Sequence, residues 1–150
     1  MKLQAKDFRI GNFVEYDNRV FEIDSISNDF PTLNSIEFGV GVVDWNNLQP
    51  ITLTENWLLD FGFELYDYEP NEESDECPDF IYMSYKINPP NKLYYYTITN
   101  TPGDGGYFDF CIKVPFAEYV MLNSIQYVHQ LQNLYFALSG EELQIKDNGK

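Results

Sequence analysis

Between residues 20 and 85 this chain contains no Lys and no Arg, although the same stretch holds 15 Asp and Glu. A nucleic-acid binder carries a surplus of the opposite sign. The gap therefore argues against direct phosphate binding and against anionic membranes. No run of about 18 apolar residues occurs, so no transmembrane helix is expected. The start of the chain places Lys2, Lys6, Asp7 and Arg9 where a secretory signal would be apolar, so a cytoplasmic protein is expected. Histidine is nearly absent, with His129 alone, and the two cysteines, Cys77 and Cys111, lack CxxC spacing. A zinc site needs three or four His, Cys or carboxylate ligands, and no HxxxH or HExxH pattern supplies them. In a reducing cytosol both thiols are expected to be free. Charge of either sign is missing from residues 124–139.

What is present is apolar and aromatic. Of 150 residues, 44% are hydrophobic and 17% aromatic, enough for one domain or two small ones and too much for disorder. The net charge is −15, and outside residues 20–85 nine acids meet nine bases, so the whole imbalance comes from the middle of the chain. A basic partner, or simple solubility, fits that imbalance.

The alternation over 13–16 and 20–26 around Asp17-Asn18 reads as a hairpin, and 36–43 as a curved third strand with Gly39 and Gly41. These strands suggest an SH3-like small β-barrel segment over residues 1–53. Thr54 is placed to cap a short linking helix over 55–61, which Gly62 ends. Strands are expected over 63–68, 80–87, 93–99, 107–114 and 118–122, separated by Pro-, Gly- and Asn-rich turns. A last helix is expected over 124–139, with Asn123 as cap and Gly140 as stop. Tyr127, Val128, Leu131, Leu134, Tyr135 and Leu138 fall on one face of it. The fold class is α+β: the barrel-like segment, the linking helix, and over 54–150 an antiparallel β-meander with the C-terminal helix packed on it. The two segments are compatible with one compact domain.

The chemistry-bearing candidates are thin. His129 with Cys111 is conceivable as a base and nucleophile, but spacing alone supports it, and a structural hydrogen bond is the simpler role. Gly103-Asp104-Gly105-Gly106 lacks the remainder of a phosphate-binding loop and reads as a hairpin turn. The acids of 72–79 lack the central Gly and the spacing of a calcium loop. Tyr94-Tyr95-Tyr96 has only Lys92 nearby, where a base-stacking platform interleaves several cations. No catalytic residue, metal ligand or cofactor site is assigned.

Two features remain. Residues 64–79 carry eight acids, of which Glu69, Glu72, Glu73, Asp75, Glu76 and Asp79 form a candidate partner-binding acidic surface. A DNA duplex presents one negative charge per about 1.7 Å of axis, and clustered carboxylates can imitate that field. The bland alternative is a solvated loop. The uncharged far side of the last helix, His129, Gln132, Asn133 and Phe136, is either a buried polar face or an interface.

The segments RIGNFV (9–14), PITLTENWLLDFGF (50–63) and YVHQLQNLYFALSGEEL (127–143) resemble, in that order, small proteins encoded by phages, prophages and mobile elements of Bacteroidetes-type bacteria. The resemblance implies a genetic setting and no reaction. With the acidic block it points to a non-enzymatic phage protein that binds a host protein with a basic surface, such as a CRISPR nuclease or another nucleic-acid-handling defence effector. The alternative is an accessory or structural protein that assembles through the uncharged helix face. A small enzyme or a protein sequestering a nucleotide signal is a third class, recognisable by a deep polar pocket.

Overall fold

The computed structural model describes residues 4–27, 30–35, 39–66, 83–89, 95–100, 107–113 and 119–146. Strand β1 (Phe13–Tyr16) turns into β2 (Arg19–Ile26) through Asp17 and Asn18, at φ 50° and 58°. Two successive left-handed residues give the tight turn whose twist matches paired strands, and Asp and Asn tolerate it better than most side chains. Strands β3 (Pro31–Ser35) and β4 (Gly39–Val42) complete an antiparallel sheet in the order β1-β2-β3-β4. β3 was not among the expected strands. It opens on Pro31, which a sheet accepts as a first residue, and with Leu33 as the one apolar residue after it the alternation is too short to announce a strand.

Val14, Ile23 and Leu33, one from each of β1, β2 and β3, form a core with Phe8, Trp45 and Leu48. Phe8 and Trp45 stack at 5.7 Å with planes 19° apart. The expected barrel does not close among the described residues. The outer side of β1 is taken instead by Gln49, which exchanges two backbone bonds of 2.9 Å with Glu15, and by the side chain of Gln132. With those partners in place β1 offers β4 nothing to pair with.

Helix α1 (Glu55–Asp60) starts after Thr54, whose side chain makes no capping bond despite its position. Its end is well specified. Gly62 lies at φ 84°, Gly62 N donates to Leu59 O at 2.8 Å and Phe63 N donates to Leu58 O at 2.9 Å. That paired bonding around a left-handed residue is the Schellman pattern. Strands β5 (Glu64–Tyr66), β6 (Met83–Ile87), β7 (Tyr95–Asn100), β8 (Phe108–Lys113) and β9 (Tyr119–Ile125) follow as an antiparallel meander in sequence order. Tyr96 and Ile98 of β7 and Phe108 and Phe110 of β8 are buried, and the Tyr96 and Phe110 rings lie 5.2 Å apart.

The last helix begins later than its periodicity suggests. Ser124 and Ile125 belong to β9, paired with Asp109 and Phe108, and Ser124 Oγ donates to Asp109 at 2.6 Å. Helix α2 is Val128–Ser139, with Tyr127 as its cap and Gly140 at φ 78° ending it. The cap bond runs from Tyr127 N to Gln130 Oε1 at 3.1 Å, so Asn123 and Gln126 do not form the start. Strand pairing outweighs local helix signals here because it satisfies the same backbone groups.

The chain divides into two compact units, Met1–Thr52 with Tyr127–Leu143, and Leu53–Gln126 with Gln144–Lys150. The first division lies between Thr52 and Leu53. The C-terminal helix, expected on the later meander, instead belongs to the N-terminal unit.

Candidate functional site

The polar side of α2 is built into the first unit. Gln132 is 1% exposed and His129 2% exposed. The Gln132 amide spans β1: Nε2 donates to Gly11 O and Oε1 accepts from Phe13 N, both at 2.9 Å. Asn133 Nδ2 donates to Asp7 O at 3.1 Å. The His129 ring lies 4.6 Å from Phe8 and stacks on Tyr127 at 5.8 Å. Phe136 is half-buried beneath Arg9, whose guanidinium carbon sits 3.5 Å from the ring centre, while Arg9 Nη2 pairs with Glu142. At the enclosed Gln132 and His129 an uncharged side chain is favoured, because burying a charge there is costly.

These contacts make the face a clamp on residues 7–13. Asn12 is fully buried within the same segment, with its Oδ1 accepting from Arg9 N at 2.8 Å. Asn12 Nδ2, Arg9 Nη1, His129 Nδ1 and Asn133 Oδ1 are buried without a hydrogen-bond partner. Burial pushes the His129 imidazole down to about 4, against an opposing pull from Asp7. It is therefore neutral at physiological pH.

The sequence weighed His129 with Cys111, but these residues fall in different compact units. Burial, with the Asp109 carboxylate adding to it, pushes the half-buried Cys111 thiol up and away from its nucleophilic thiolate form. Tyr85 is pushed up to about 12 by burial first and then by Glu55, so its phenol stays protonated. Among the described residues no group of three or more His, Cys, Asp or Glu is arranged to hold a metal. No helix among them is long and apolar enough to cross a membrane.

An open groove of about 220 Å³ lies on the first sheet, lined by Tyr16, Phe21, Leu33, Gly41 and Val43 with the exposed Asp17 and Arg19. Tyr16 and Phe21 meet edge to face at 6.0 Å. Its walls are mostly apolar, and it lacks the convergent polar groups that mark a small-molecule site.

The acidic surface, Glu69, Glu72, Glu73, Asp75, Glu76 and Asp79, lies outside the described residues, as does Cys77. The described part of the base-free stretch is nevertheless acidic at its surface: Glu22, Asp24, Asp44, Asp60 and Glu64 are all exposed. Comparison with known proteins returns no matching family model, no matching curated protein and no matching solved structure.

Proposed function

We propose that this chain is a non-enzymatic, acidic binding protein of phage or mobile-element origin that engages a basic surface on a host protein. The observation that carries the reading is the charge distribution: a net −15 drawn wholly from residues 20–85, a stretch that holds 15 acids and no Lys or Arg. Such a block attracts a basic channel over roughly a Debye length, about 8 Å at physiological salt, and speeds encounter. A basic channel built for nucleic acid is the natural complement, which is why a CRISPR nuclease or a similar defence effector is the proposed class of target.

The inward-facing polar groups support a binding role over a chemical one. His129 is neutral, enclosed and in contact with the Phe8 and Tyr127 rings, so it is badly placed to move protons for a bound substrate. The reading in which the protein assembles through the helix face has little surface to use, since His129 and Gln132 are internal.

The test is capture from a Bacteroidetes-type host lysate, comparing the natural chain with one in which Glu69, Glu72, Glu73, Asp75, Glu76 and Asp79 are changed to Gln or Asn. The expected result is a basic nucleic-acid-handling protein retained by the natural chain, released by salt and lost with the neutralised chain. Equal retention by both chains would sink the proposal.

A further inference from the structure

The two sheets treat their outermost strands differently. On β1 the outer backbone groups are occupied by the Gln132 amide and by Gln49. On β9, the last strand of the second sheet, the strand neighbour among the described residues is β8. Another segment first bonds along its continuation at Gln126, whose carbonyl accepts from Leu53 N at 2.8 Å. Soluble proteins guard such edges with short strands, charge, Pro or bulges. β9 has seven residues, Tyr-Val-Met-Leu-Asn-Ser-Ile, without charge and without Pro. Its one guard is a bulge at Leu122, where the register moves from Phe110↔Asn123 to Cys111↔Met121. Val120, Met121 and Leu122 are 55%, 63% and 39% exposed.

We infer that β9 is a self-association edge, pairing antiparallel with β9 of a second copy about a two-fold axis close to Met121. Charge selects this occupant. Each chain carries −15, so two copies repel over most approaches, whereas residues 119–140 contain no Asp, Glu, Lys or Arg. Along this stretch two acidic chains can meet without like charges in contact. A basic partner would find no carboxylate on this strand to recognise, and an acidic one no cation. An antiparallel strand pair is self-complementary, because the same backbone groups and the same side chains read each other across the axis. Met121 then lies against its counterpart and Val120 against Leu122 of the second copy, as cross-strand apolar pairs do. One strand edge buries far less than the roughly 800 Å² per partner of a standard interface. The dimer is therefore weak, and like-charge repulsion makes it weaker at low salt.

The test is sedimentation of the full chain over a range of concentrations at 0.1 M and 1 M NaCl, where the Debye length falls from about 10 Å to about 3 Å. The natural chain should dimerise with a dissociation constant at least tenfold lower at the higher salt. Met121→Lys should stay folded and monomeric, even though it reduces the net charge. Leu59→Lys, at an exposed position of α1, should dimerise like the natural chain. A second arm is independent of stability. In a background with Cys77 and Cys111 changed to Ser, Met121→Cys should give a covalent dimer under mild oxidation, and Leu59→Cys should not. A monomer at every salt and concentration, association weakened by salt, dimerisation of Met121→Lys, loss of the dimer in Leu59→Lys, or no preference for cross-linking at Met121 would each overturn the inference.

Discussion

The side-chain amide of Gln132 stands against Gly11 and Phe13 as a neighbouring strand would, giving Nε2 to one carbonyl and taking one N–H with Oε1, at 2.9 Å each. One side chain thereby satisfies two backbone groups of an otherwise open sheet edge and joins α2 to β1. Gln132→Leu would keep the volume and leave both backbone groups buried without partners, at a cost of roughly 2–4 kcal/mol. Gln132→Glu should be at least as damaging, because a carboxylate cannot donate to Gly11 O and its charge is enclosed. Chemical denaturation reads both. An unchanged midpoint for Gln132→Leu would mean that the amide contributes nothing.

His129 makes stability depend on pH. Its folded value of about 4 lies below the ordinary 6.5. Between those values the unfolded chain binds the proton more readily than the folded one, so acid favours unfolding. The stability is fully present above about 6.5, falls as pH drops toward 4, and levels off below. The loss is on the order of 3 kcal/mol. Denaturation midpoints of the natural chain and of His129→Gln between pH 4 and 7 should converge at acid pH and part at neutral pH. Parallel curves would remove His129 as the cause.

Gly62 is held at φ 84°, and a Cβ added there would overlap the side chain of Lys146. Gly62→Ala should cost roughly 1–3 kcal/mol, combining left-handed strain with displacement of the lysine. Adding Lys146→Ala relieves the overlap and not the strain, so the double variant should regain part of the loss. A double variant as unstable as the sum of both single changes would show that the two residues are not coupled.

Local rules made much of this fold legible. Asp17-Asn18 specified its hairpin, and Gly62 and Gly140 marked both helix ends, because each position demands a backbone geometry few residues adopt. Periodicity gave the meander its strands within a few residues. The failures share a different cause. The barrel, the start of α2 and the placement of that helix all depend on partners far away in sequence. Gln132 meets Gly11 across 121 residues, and no local pattern announces such a bond. Ser124 and Ile125 carry helix signals but pair with β8, a choice set by the sheet. The absence of charge on α2 was the available clue: a polar face without ions is a face with neutral partners. The place of β9 at the end of its sheet was not readable, because edge and interior strands share one alternation until the strand order is known.

Recognition of a basic surface by the acidic block is open to direct test through salt and through neutralisation of the block. The measurement is association kinetics with a captured target, paired with inhibition of DNA cleavage when the target is a nuclease. It compares the natural chain with the variant changed at Glu69, Glu72, Glu73, Asp75, Glu76 and Asp79. Affinity of the natural chain should fall steeply between 0.1 M and 0.5 M salt. The variant should associate at least about tenfold more slowly with a smaller change in dissociation, and its melting temperature should hardly move, since exposed charges contribute little to stability. Binding and inhibition that ignore both the salt and the six substitutions would contradict that recognition.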